Sequence, residues 1–109
     1  MTLEGELAAL DDLARTMEDN ARDERVLARR VRELRAGRSE GRSWHDLLAR
    51  ESAPGALALV DRILRRVTEG SGALRRALAR GLRADGASVP AIAKMFGVSH
   101  QRVSALLRR

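Results

Sequence analysis

The sequence predicts an all-α fold: a long N-terminal helix, a helical support, and a C-terminal helix-turn-helix. Three observations carry this reading. Ala, Leu, Arg and Glu dominate a 109-residue chain that is 44% hydrophobic, and Trp44 and Phe96 are its only aromatic residues. Such residues form helices readily, whereas strand formers are few outside the C-terminus. Apolar residues recur at three- and four-residue spacing, and glycine, proline and serine gather at a few breakpoints. The length suits one small domain or a compact head with a helical arm, and excludes a second enzyme-sized domain. The expected organisation is an amphipathic arm over residues 1–36, supporting helices over 37–70 and a terminal head over 71–109.

The arm rests on an apolar stripe, Leu3, Leu7, Leu10, Ala14, Met17 and Ala21, continued by Leu27, Val31 and Leu34. No proline interrupts it, so it reads as one long helix, or as two joined at a cap near Asp19-Asn20. Continuing the first heptad frame brings Glu24 into the seam, which argues against a long parallel coiled coil. Pairing with another helix is still expected, and with it a homodimer through this helix. Residues 37–43 (GRSEGRS) predict a turn. Ser43 then caps a short helix in a capping-box arrangement with Asp46, and Trp44, Leu47 and Leu48 supply its buried face. Pro54-Gly55 interrupts, and Ala56 to about Thr68 is amphipathic through Leu57, Val60, Ile63, Leu64 and Val67. Gly70-Ser71-Gly72 predicts a break before a further helix over 73–84, built on Leu74, Leu78 and Leu82 and closed by Asp85-Gly86. Ser88 is a good N-cap for the next helix, with Pro90 in its first turn, where a missing N–H is harmless.

The net charge of +6 is unevenly spread: residues 1–24 carry −6, residues 25–69 carry +5 and residues 70–109 carry +7. A strongly basic end suits a polyanion, and an acidic end suits a different task. There is no cysteine, so no disulfide or thiolate metal site can form. His45 and His100 are too few and too far apart in sequence for metal-ligand spacing, and no nucleophile–base pair is recognisable, so neither enzyme activity nor a cofactor is expected. No apolar run reaches the roughly 20 residues that span a bilayer, and MTLEGELAALDD lacks the regions of a signal peptide. The expectation is a cytoplasmic protein with no membrane partner and no small-molecule ligand.

The last twenty-one residues, Val89–Arg109, carry the most specific signal. Two short helices that pack steeply around a tight turn need a small residue at their crossing, a backbone-permissive residue at the turn and an apolar inner face. Ala93 meets the first demand, and Gly97 meets the second. Ile92, Phe96, Val98, Val103 and Leu106 meet the third. The second helix can then stand clear and enter a DNA major groove about 12 Å wide.

The stretch IAKMFGVSHQRVSALLRR resembles the C-terminal helix-turn-helix of resolvase/invertase recombinases and of sigma-factor DNA-binding regions, which share an IA-x-x-(apolar)-GVS-x-x-x-V core. Together with GRSW, the Pro-Gly and the arginine-rich helix, it is also similar to small actinobacterial helix-turn-helix proteins of regulatory or nucleoid-associated type. The resemblance implies double-stranded DNA as partner and a transcriptional regulator or nucleoid-associated protein acting in the cytoplasm, at the nucleoid. Recombinase chemistry does not carry over, because the catalytic domain of that family has no room here. By the same resemblance, Ser99 caps the recognition helix and touches phosphate, while His100 and Gln101 point into the groove and Ala105 can meet a thymine methyl. Arg102, Ser104, Arg108 and Arg109 would take backbone contacts, as would Arg75 and Arg76, with Arg80 and Arg83 on the same preceding helix adding charge.

Ser43–Arg66 echoes this motif at its first positions, but Leu48 stands where the small Ala93 would be, and Pro54 falls where a second helix should open. These helices are read as support. His45 reads as a surface residue beside Trp44. The arginines Arg25, Arg29, Arg30, Arg32 and Arg35 read as a solvated face interleaved with Glu24 and Glu33. The competing function is a protein-interaction adaptor or anti-sigma-like module acting through the acidic N-terminal helix.

Overall fold

The computed structural model describes residues 3–108, which form five helices and, among those residues, no strand. They are α1 (Leu3–Ser39), α2 (Trp44–Ala49), α3 (Ala56–Ala84), α4 (Val89–Phe96) and α5 (His100–Arg108). The all-α expectation is met. Arg109, expected to touch phosphate, lies outside the described residues. No described helix is long and apolar enough to cross a membrane. The chain divides into two compact units, residues 16–68 and residues 3–15 with 69–108.

In the unit of residues 16–68, α1 runs unbroken through Asp19-Asn20. Asn20 does not restart the helix but is buried, and its Nδ2 donates to the Ile63 carbonyl at 3.2 Å. Three residues on, the Asp23 carboxylate accepts from Arg62 Nε and Nη2, each at 2.9 Å, and from Arg66 Nη1 at 2.7 Å. Arg66 Nη1 also reaches Asn20 Oδ1 at 3.3 Å. Leu59 is fully buried alongside, with Ala56, Ile63 and Leu47 nearly so. The inward stripe of α1 is therefore Asn20, Asp23, Leu27, Arg30, Leu34 and Gly37, all buried or half-buried. Met17 and Val31, in the stripe expected from hydrophobicity, are exposed. The physical reason is that two seam positions bury polar groups whose partners on α3 satisfy them, so an apolar pattern alone indicates the adjacent face.

The same unit corrects two further expectations. The turn expected from Gly37 begins only after Ser39, because Gly37 is buried in the last turn of α1 and its bare Cα gives room to Leu47. Leu47 is then the one buried residue of α2, while Trp44 and Leu48 are exposed, since a six-residue helix turns only a narrow edge inward. Ser43 caps α2 as expected, its Oγ accepting from Asp46 N at 3.1 Å. Leu57, Leu64 and Val67 of α3 are likewise exposed, and Leu59 and Ile63 form its inner edge. Glu51 Oε2 accepts from Ala56 N at 2.6 Å, placing a carboxylate at the α3 N-terminus, where the helix dipole favours it.

The hydrogen bonds from Arg62 hold the Asp23 carboxyl below its ordinary 3.8, with the charges of Arg62 and Arg66 acting in the same direction and desolvation opposing them. A carboxyl whose pKa is depressed by folding contributes stability that is fully present above the unfolded value and is lost as pH falls through the folded one. Urea unfolding followed across the acid range should therefore show a loss of stability below about pH 4, and Asp23→Asn should flatten that limb. An unchanged acid limb in the variant would mean that the ion pairs contribute nothing to folding.

In the unit of residues 3–15 and 69–108, the first turns of α1 lie along the second half of α3. Gly70-Ser71-Gly72 does not break α3, contrary to the sequence reading. A Cβ on Gly70 would stand 2.6 Å from Leu13 Cδ1, so this glycine allows a close helix contact instead of a stop. A glycine within a helix costs about 1 kcal/mol relative to alanine, which packing of this kind can offset. Beyond it, α3, α4 and α5 enclose a core of Ala79, Ile92, Ala93, Val103 and Leu106, with Leu82, Ala87, Val89, Phe96, Val98 and Leu107 packed around it. Leu78 and Met95 point outward.

Candidate nucleic-acid interface

Each end of α4 is fixed by the residue that the sequence supplies there. Ser88 Oγ accepts from Ala91 N at 3.2 Å, and Pro90 occupies the first turn. At the other end Gly97 has φ +66°, a left-handed conformation that a side chain resists. Its neighbour Val98 donates back to the Ala93 carbonyl at 3.1 Å, and Gly97 N donates to the Lys94 carbonyl at 3.3 Å, so the chain reverses sharply with these two carbonyls satisfied. Ser99 then opens α5: its Oγ accepts from Arg102 N at 3.1 Å and its carbonyl from Val103 N at 3.2 Å. The Ser99 hydroxyl hydrogen is not used by this cap and can still donate to a phosphate oxygen.

The turn aims α5. Val103 is fully buried and Leu106 nearly so, which pins the inner edge of the helix to Ile92 and Ala79. Ala93, only 3% exposed, sits at the crossing where a larger residue would hold the two helices apart. His100, Gln101, Arg102 and Arg108 are consequently exposed, and Ser104 and Ala105 are half-buried on the outward side.

Arg76 and Arg102 lie 26 positions apart in sequence, yet they line one surface recess of about 100 Å³ with Ala105 and Leu106. Arg75 is exposed next to it on α3, and Arg83 Nη1 donates to the Ala87 carbonyl at 3.0 Å. The sequence named Arg76, Arg102 and Ala105 separately but gave no sign that they share a recess. Spacing along α3 could have suggested it, since Arg76, Ala79 and Arg83 fall at helical intervals and Ala79 is a core residue beside α5.

The electrostatics differ between residues 16–68 and the C-terminal head. In residues 16–68, Arg22, Arg30, Arg42, Arg62 and Arg66 pair with Asp19, Glu33, Glu40 and Asp23. Among the described residues, no ion pair involves Arg75, Arg76, Arg80, Arg83, Lys94, Arg102 or Arg108 of the head. Cations without carboxylate partners, gathered around a projecting helix, suit a polyanion whose phosphates replace the missing acids.

Residues 72–109 match a homeodomain-like domain. The matched segment covers the second half of α3, all of α4 and the described part of α5, which is the three-helix head just described. No curated protein and no solved structure matches the chain. The match and the geometry agree on a helix-turn-helix of the DNA-binding type, with α4 as its first helix and α5 as its second. Such a motif supports binding to DNA.

Proposed function

We propose that this chain binds double-stranded DNA as a homodimer, with α5 in the major groove, and acts in the cytoplasm as a transcriptional regulator or nucleoid-associated protein. The observation that carries the proposal is the exposed outer face of α5 beside unpaired arginines from α3. In this reading residues 71–109 are the reading head, residues 37–70 support it and residues 1–36 bring two copies together. His100, Gln101 and Ala105 read base edges, Gln101 by a bidentate bond to adenine. Ser99, Arg102, Ser104, Arg108, Arg109, Arg75 and Arg76 hold the backbone. One short recognition helix makes few base contacts, so two copies on half-sites about 10 bp apart supply useful affinity.

Selection from a pool of random duplexes tests this division. The wild type should enrich paired half-sites, and His100→Ala with Gln101→Ala should change the enriched bases at one or two positions per half-site. Enrichment of the same bases by wild type and double variant would remove these two residues from base readout.

A further inference from the structure

Resting on the homodimer reading, we infer that two copies pair through α1 in antiparallel orientation. In each contact the first turns of one α1 fill a groove formed by Val31, Leu34, Arg35, Arg38 and Trp44 of the other. The groove encloses about 480 Å³ and is walled by the Trp44 ring, over which Arg38 sits at 5.3 Å. Val31 and Trp44 are about half exposed, at 52% and 51%. At the other end of the helix, Leu3, Leu7 and Leu10 are 68%, 51% and 41% exposed. In both places the exposed apolar residues recur on one side of the helix instead of standing singly.

The occupant follows from spacing and charge. Leu3, Leu7, Leu10, Ala14, Met17, Ala21, Ala28 and Val31 fall on one heptad frame of α1, one position away from the stripe that packs inside the chain. An antiparallel partner in that frame sets Leu7 of one copy opposite Val31 of the other, Leu10 opposite Ala28, and Met17 opposite Ala21. Glu24, the polar residue in the frame, falls opposite the small Ala14, where its carboxylate can reach solvent. The exposed residues that flank the stripe are Glu4, Asp11 and Glu18 in the first half and Arg25 and Arg32 in the second. Antiparallel pairing therefore lays Glu4 against Arg32 and Asp11 against Arg25, with Glu18 meeting only its own copy at the centre, whereas parallel pairing lays acid on acid and arginine on arginine along the whole row.

The chain has no cysteine, so introduced ones report cleanly. Leu7→Cys and Val31→Cys are prepared separately; both sites are exposed, and thermal melting checks that each variant folds. Oxidation of the mixture should give a disulfide-linked dimer, while either variant alone stays largely uncrosslinked. Efficient cross-linking of Leu7→Cys by itself overturns the antiparallel arrangement. No cross-link in the mixture, with a wild type that sediments as a dimer, overturns this face and leaves the homodimer reading standing. A wild type that sediments as a monomer at every soluble concentration overturns both.

Discussion

Replacing Ile92 with alanine is expected to destabilise the C-terminal head by about 2–5 kcal/mol, the range for truncating a buried Ile or Leu, and to abolish duplex binding. Ile92 is fully buried, and it joins Ala79, Val103 and Leu106 in the core that aims α5. Truncation removes transfer free energy and leaves a cavity that α4 and α5 can close only by shifting against each other. Against a total stability of about 5–15 kcal/mol, a loss of this size moves a large share of the balance. Urea unfolding measures the first effect, and duplex titration the second. Met95→Ala is the matched control, since Met95 is 67% exposed on the same helix and its loss should fall within about 0.5 kcal/mol.

The second large effect concerns charge rather than packing. Changing Arg76 and Arg102 together to alanine should weaken binding to all duplexes alike, because both are assigned to the backbone. The dependence of log K on log salt should become shallower by about one unit per arginine. Arg65→Ala, an exposed arginine in the other unit, should leave the slope unchanged. The double variant also tests the recess: if Arg76 does not reach phosphate, the slope falls only by the Arg102 share.

These outcomes depend on features that differ in how far the sequence revealed them. The head was legible almost completely, because each of its parts needs a particular residue type. A left-handed turn selects Gly97, a tight crossing selects Ala93, and the two helix starts select Ser88 and Ser99. Residues of one helix that pack on the next within 20 positions leave a local pattern. The inner seam of α1 was legible only at Leu27 and Leu34. It is built partly from Asn20 and Asp23, whose partners Ile63, Arg62 and Arg66 lie some 40 positions away. A hydrophobicity pattern passes over such positions and selects neighbours such as Met17 and Val31, which the fold leaves exposed. Glycine misled for a related reason. Gly37 and Gly70 read as breaks, but each removes a side chain where Leu47 or Leu13 comes close. A contact as distant as that of Gly70 with Leu13 has no signature along the chain, and the meeting of Arg76 with Arg102 left only the helical spacing of Arg76, Ala79 and Arg83 on α3.

The central claim is that α5 enters DNA, and nuclear magnetic resonance of the labelled full chain during duplex titration at low salt tests it most directly. Shift changes should concentrate on Ser99–Arg108 and on Arg75 and Arg76, diminish as salt is raised, and leave Asn20, Asp23 and Arg62 unmoved. Absence of shifts at low salt, or shifts confined to α1, would contradict the account.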